Sequence, residues 1–132
     1  MKITRVYRFA ASHRLHSPAL SEAENATLYG KCNNPYGHGH DYILHISVTG
    51  EPDSRTGRVV NFAALDRYVQ ERLLCLYDHS DLNSDVPGFQ GVPTTENLVR
   101  DSDRRLREHW PFGQALLEGV FIQETDRNSV AL

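Results

Sequence analysis

The sequence predicts an α+β fold, an antiparallel sheet carrying two helices on one of its faces. Three observations predict it. Tyr42, Leu44, Ile46 and Val48 alternate with His45, Ser47 and Thr49, the period of a strand with one apolar face. Leu65, Val69, Leu73 and Leu76 follow at four, four and three residues, the stripe of a helix. The elements run strand, strand, helix, helix, strand, strand, an order that argues α+β. The 132 residues suit one domain, 1–132, with its own core and are too few for two ordinary domains.

Ile3, Val6, Tyr7 and Phe9 among polar neighbours make residues 2–12 the first strand. Residues 16–37 are polar and turn-rich and read as a long loop, a feature that is usually functional in a compact domain. In the strand that follows, His38 and His40 share the phase of Tyr42, so both lie on its apolar face if the strand runs back that far. Pro52 to Gly57 is a turn, and Val59 and Val60 return as a short hairpin strand. Asn61 suits the N-cap of the first helix, which ends near Tyr77 and leaves Asp78 and His79 at or just past its C-terminus. Residues 80–93 are a second loop with Pro87, Gly88, Gly91 and Pro93. Thr94 or Thr95 caps the second helix, with Glu96 in the first turn, where the helix dipole favours a carboxylate. Its stripe is Leu98, Val99 and Leu106, and it ends before Pro111. Leu116 to Thr125 is a strand with Leu116, Val120, Ile122 and Glu124 on one face, and Asp126-Arg127-Asn128 turns it into a last strand, Ser129 to Leu132. Helices on one face leave the other to be covered, and oligomerisation can supply that cover.

Composition excludes several function classes. The net charge of −3 gives no basic patch for a nucleic-acid partner. No apolar run approaches the roughly 18 residues of a membrane span. The N-terminal MKITRVYRF lacks the apolar stretch of a signal peptide, so the expected location is the cytoplasm. In that reducing compartment Cys32 and Cys75 are expected as thiols, and metal binding or catalysis is the better reading of them than a disulfide.

The chemistry gathers in Gly30 to Asp41, GKCNNPYGHGHD. His38 and His40, at i and i+2 of an extended chain, point to the same side and can approach one metal ion. Gly39 between them presents no side chain to obstruct a ligand. His13, in FAASHRL, is a candidate third ligand. Three imidazoles and an open fourth position are the usual set of a catalytic zinc, whereas structural sites are closed by four ligands. Cys32 is then either a fourth ligand or a free thiolate beside the metal. Asp78-His79 is either a helix terminus or an acid–histidine pair that activates a thiol. Glu124 is either a strand end in water or a charged acceptor for a fork of N–H donors, such as the 2-amino-pyrimidinone edge of a pterin or guanine. Thr94, Thr95 and Glu96 are explained by the helix start and can also line a site. His16, His45 and His109 read as ordinary surface or core histidines, and Cys75, between two leucines of a helix, as core packing.

FAASHRL, CNNPYGHGHDY, VVNFAALDRY, YDHSDLN, VPTTENL and ETDRN, in this order and spacing, resemble the 6-pyruvoyltetrahydropterin synthase family from Phe9 to Asn128. The resemblance implies a T-fold, a four-stranded antiparallel sheet with two helices. Three such subunits close a twelve-stranded barrel, and two trimers stack as a homohexamer. It implies Zn2+ on His13, His38 and His40. It implies a catalytic triad of Cys32, Asp78 and His79 drawn from neighbouring subunits, and a pterin anchored by Glu124 with Thr94, Thr95 and Glu96 in the pocket. The implied reaction, in tetrahydrobiopterin biosynthesis, converts 7,8-dihydroneopterin triphosphate to 6-pyruvoyltetrahydropterin with loss of triphosphate. The family also holds 6-carboxy-5,6,7,8-tetrahydropterin synthase of queuosine biosynthesis, and a folate-related variant with Glu in place of the cysteine. Cys32 speaks against the variant. The five-residue spacing of Cys32 to Asn33 through Gly37 before His38 speaks for the pyruvoyl enzyme over the carboxy enzyme. A non-catalytic, zinc-stabilised pterin-binding module, with Cys32 closing the site, is the remaining alternative. Two departures stand out: Asp41 where Asn is common after H-G-H, and Tyr77 where Leu usually precedes Asp-His.

Overall fold

Strand β2 (His38–Thr49) runs through the middle of the sheet in the computed structural model, which describes residues 1–132. Tyr42, Leu44, Ile46 and Val48, the alternate residues that define its apolar face, are all 1% exposed or less. Strand β1 (Lys2–His13) pairs antiparallel along one edge of β2, and β4 (Leu116–Thr125) pairs antiparallel along the other. Strand β5 (Asn128–Ala131) follows β4 through the expected tight turn. A two-residue strand β3 (Ser80–Asp81) adds in parallel to the end of β1, so the order is β3-β1-β2-β4-β5.

One core cluster joins the inward residues of β1, β2 and β4 to the apolar stripes of helices α2 (Phe62–Val69) and α4 (Thr95–Glu108). The α+β reading and its helix-covered face are therefore met, with corrections. The sheet has five strands, because two residues of the expected second loop pair with β1. A third helix, α1 (Glu22–Tyr29), followed by a 3-10 turn (Gly30–Asn33), occupies what reads as a featureless loop. Its only buried residue is Asn25, so it carries no apolar stripe for periodicity to detect. A capping box announces it instead: Ser21 Oγ accepts from Glu24 N, and Glu24 reaches back to the Ser21 amide.

Val59 and Val60 form no hairpin strand. Both edges of β2 are already taken by β1 and β4, so no partner is free for them. They plug the core instead, Val60 at 6% exposure. On β4 the expected face also shifts. Val48 pairs with Leu117 and Ser47 with Gly119, so Glu118 is an extra residue of a β-bulge that reverses the alternation. Leu117 is buried in place of Leu116, which is 60% exposed.

Helix α2 continues through a π turn (Gln70–Leu74) into a last turn α3 (Cys75–Tyr77). The buried stripe is Leu65, Val69, Leu73 and Tyr77, every fourth residue throughout. In an unbroken α-helix such a stripe drifts about 40° per step. The wider π turn takes up that drift and keeps Tyr77, rather than Leu76, on the core. The same change of phase turns Cys75 outward, where it is exposed, not packed as the pattern suggests. No helix is long and apolar enough to cross a membrane.

Candidate active site

Register alone brings three imidazoles together. His13 is the cross-strand partner of His38, and His40 lies one pleat further along β2 on the same face. Their ring nitrogens meet. His13 Nε2 lies 3.2 Å from His38 Nε2, and His38 Nε2 lies 2.9 Å from His40 Nε2. The ligating atoms of the three side chains all fall within 4.8 Å of one another. The Cys32 thiol is not part of this group. Gly37, just before β2, lets the chain enter this arrangement. Its φ is +71°, and a Cβ there would meet the His13 carbonyl oxygen at 3.0 Å. Gly39, by alternation, points to the opposite face of the sheet, so it does not keep room for a ligand at the imidazoles.

Neighbours set the protonation pattern of these rings. His13 is 1% exposed, and its Nδ1 donates to the Pro93 carbonyl at 2.8 Å. That bond fixes the tautomer and leaves the Nε2 lone pair free to face His38. Burial holds His13 below the usual imidazole range, against the Pro93 contact and the charge of Glu124 that raise it. Burial likewise lowers His40, with Glu124 again opposing. Three ring nitrogens that converge on one another are satisfied together by a cation. The donor set therefore fits a divalent metal such as zinc.

Glu124 stands beside this cluster, one residue beyond the last β2–β4 pair, Ile43 with Gln123. Its side chain is 11% exposed, which is not the solvated strand end of the bland reading. One carboxylate oxygen accepts from Thr95 Oγ1 at 2.7 Å, and the other lies 3.9 Å from His40 Nε2. Thr94 is the N-cap of α4, its Oγ1 accepting from Asn97 N at 3.3 Å, so of the two threonines it is Thr94 that caps and Thr95 that reaches the carboxylate.

A cleft of about 500 Å³ opens over these groups, lined by Cys32, Thr94, Thr95, Glu96 and Glu124, with Tyr29 and Arg127 at its walls. Cys32 is half-buried, and burial followed by the charge of Glu124 raises its thiol above the ordinary cysteine range. Its 3-10 turn is fastened to the chain after β1: Leu15 N donates to Cys32 O at 2.8 Å, and Asn33 Nδ2 donates to Leu15 O at 2.8 Å.

Asp78 and His79 are elsewhere. His79 borders a separate pocket of about 470 Å³ together with Ala10, Gly39, His40, Asp41 and Asp81, and Asp78 precedes it in the chain. The His79 side chain is 82% exposed, and its Nδ1 lies 3.2 Å from Asp78 Oδ1. Asp78 Oδ1 also accepts from Ala10 N at 2.9 Å, while His79 N donates to Ala10 O at 2.6 Å. His79 is the only non-glycine residue at positive φ, +57°, a conformation that costs about 1–2 kcal/mol. An exposed imidazole held in a strained backbone and oriented by a carboxylate is built for a use that packing does not explain. Within one chain, then, the three histidines, Cys32, Glu124, Thr94, Thr95 and Glu96 are assembled, and the Asp78–His79 pair is presented outward.

Sequence reasoning missed the Pro93 carbonyl, because a main-chain acceptor carries no residue signature. It also missed Tyr42 as a neighbour of the cluster. The Tyr42 hydroxyl lies 3.4 Å from His13 Nδ1, and its place two residues after His40 on the same face was the available signal.

Comparison with known proteins follows the same residues. The family model of 6-pyruvoyl tetrahydropterin synthase matches residues 2–132. The 6-pyruvoyl tetrahydrobiopterin synthase of Homo sapiens is 45% identical over 130 residues, covering 98% of this chain and 88% of its own. That of Poecilia reticulata is 45% identical over 129 residues, covering 97% and 86%. The solved structure of Caenorhabditis elegans 6-pyruvoyl tetrahydropterin synthase superposes with a TM-score of 0.93 at 37% identity, covering 100% of this chain and 94% of that one.

Proposed function

The chain belongs to the 6-pyruvoyl tetrahydropterin synthase family and is an enzyme of that type, a lyase, and from this premise we propose that it converts 7,8-dihydroneopterin triphosphate to 6-pyruvoyltetrahydropterin with elimination of triphosphate. The observation that carries the reading is the convergence of three imidazole nitrogens beside Glu124, which shares a cleft with the half-buried Cys32 thiol. The product serves tetrahydrobiopterin biosynthesis.

His13, His38 and His40 hold Zn2+ in this reading. When bound, the zinc supplies a Lewis acid for the side-chain hydroxyls of the substrate. Glu124, held by Thr95, accepts the fork of N–H donors on the pterin edge and orients the ring. Thr94 and Glu96 line the same pocket. With the ring fixed, a side-chain carbon proton lies within reach of Cys32, whose thiol, its pKa raised by burial and by Glu124, takes it after losing its own proton. His79, oriented by Asp78, returns or accepts protons on the other side of the side chain. No external oxidant is needed, since the hydrogens move within one molecule.

The exposed Asp78–His79 pair supports assembly in trans: each chain contributes its zinc, Cys32 and Glu124 to one site and its Asp78–His79 to a neighbour's. A homohexamer of two stacked trimers, with the free sheet face closed into a twelve-stranded barrel, is the arrangement we propose for it. The separation of Cys32 from the imidazole group speaks against a four-ligand structural zinc site.

The test is a product assay. Purified zinc-loaded protein is incubated with 7,8-dihydroneopterin triphosphate, and triphosphate, 6-pyruvoyltetrahydropterin and acetaldehyde are measured. Triphosphate with the pyruvoyl product and no acetaldehyde is expected. Acetaldehyde with the 6-carboxy product would transfer the chain to the carboxytetrahydropterin reaction, and no turnover would leave a binding module.

A further inference from the structure

Tyr77 immediately precedes Asp78 and His79, and its surroundings show what its hydroxyl does. The ring is fully buried and packs on Phe9 with centroids 5.5 Å apart. Its hydroxyl donates to Asp101 Oδ2 at 2.6 Å and accepts from Ser102 Oγ at 3.3 Å. Asp101, itself buried, is held in place by Arg104 at 2.6 Å and Arg105 at 2.7 Å. A leucine would give the packing without any of these directional bonds.

The next two residues are Asp78 and His79. They follow a three-residue turn that emerges from a π segment and closes with Asp78 N donating to Leu74 O at 2.9 Å. Ser80 Oγ donates to the Tyr77 carbonyl at 2.6 Å, so the chain doubles back over Tyr77 around the pair. Asp78 and His79 are held by the pairing of Ser80 and Asp81 with β1 just after them, and by two further supports. One is the backbone of β1 at Ala10, and the other is the Tyr77 hydroxyl locked to α4.

We propose that Tyr77 is a positioning residue for the Asp78–His79 pair: its hydroxyl, clamped by Asp101, sets the direction in which the imidazole is presented. The inference rests on the reading of His79 as a catalytic group. Removing the hydroxyl leaves Asp101 with both arginines, so the fold keeps its buried charge paired. What is lost is the aim of the helix end.

The experiment uses the zinc-loaded, assembled enzyme and a double-mutant cycle of Tyr77→Phe and His79→Ala. Tyr77→Phe is expected to lower kcat on the order of ten- to 10²-fold, as small misplacements of catalytic groups do. KM should stay within about twofold, with zinc content and oligomeric state unchanged. In the His79→Ala background the same substitution should have no further effect on the residual rate. A wild-type kcat for Tyr77→Phe would overturn the inference, and so would an equal loss in both backgrounds, which is the mark of a structural role. Full activity of His79→Ala would instead overturn the reading of His79 on which the inference rests. If Tyr77→Phe does not fold, Asp101→Asn, which keeps an acceptor for the hydroxyl, replaces it in the cycle. The same non-additive loss, smaller, is then expected, and additivity would overturn the inference.

Discussion

Glu124 is the residue on which binding and chemistry meet in the proposed reading. Its carboxylate is almost out of water, satisfied by Thr95 on one oxygen and turned toward His40 with the other. Glu124→Gln keeps the shape but loses charge assistance and one acceptor position, and charge-assisted bonds contribute roughly 1.5–3 kcal/mol. KM for the triphosphate substrate should therefore rise on the order of tenfold or more. Unchanged steady-state constants would remove Glu124 from the site. Cys32→Ala separates base from ligand. As a proton-abstracting group, its loss should leave zinc content full and lower turnover by at least ~10²-fold. A variant that loses its zinc would make Cys32 a ligand instead. These side chains were legible in the sequence because their chemistry is tied to spacing: H-x-H in strand phase, and a carboxylate in phase with Val120 and Ile122. The Pro93 carbonyl that fixes His13 was not, because every residue carries a carbonyl and only the fold selects one.

Elements differ in how openly they announce themselves. Strand β2 and helices α2 and α4 follow from periodicity because they bury one face. Helix α1 buries almost nothing but Asn25, whose side chain accepts from Ser17 N and donates to the carbonyls of Ser17, Leu20 and Ser21. A single polar residue thus organises the connection that leads to Cys32, and no hydrophobic pattern can show it. Asn25→Ala strands buried backbone groups and should lower stability by roughly 1–3 kcal/mol, read as a drop in the denaturation midpoint. The π turn was equally hidden, since Leu76 completes the four-four-three stripe of an ordinary α-helix and conceals that Tyr77 is the buried residue.

Helix α2 is tied to β1 by a side-chain fork: Arg5 donates to both oxygens of Asp66, at 3.1 and 2.6 Å, and Tyr7 adds a third bond at 2.8 Å. The Arg5 hydrogen bond, foremost, holds the Asp66 carboxyl below the usual range. A carboxylate depressed in the folded state stabilises above its unfolded pKa, and that contribution is lost as pH falls through the folded value. Both partners are more than a third exposed, so screening keeps the effect small, on the order of 1 kcal/mol or less. Asp66→Asn should therefore be slightly less stable than the parent at neutral pH. The gap should close as pH falls below about 4, the ordinary aspartate range. A gap that persists in acid would trace to the side-chain shape rather than its charge.

The whole molecule carries the groups proposed for catalysis in two different pockets. Cys32 and Glu124 line one cleft, and His79 lines a different pocket, which His40 also borders. Neither pocket is lined by both Cys32 and His79, and the proposed reading brings them to one substrate across a subunit boundary. If each site takes Cys32 from one subunit and His79 from the next, the defects of Cys32→Ala and His79→Ala lie in different halves of a site. Mixing the two inactive proteins in equal amounts, dissociating and reassembling them gives hybrids in which roughly one site in four pairs an intact Cys32 with an intact His79. The account predicts recovery of about a quarter of parental activity in the mixture. Activity that stays at the level of the two variants, in oligomers shown to be hybrid, would contradict it.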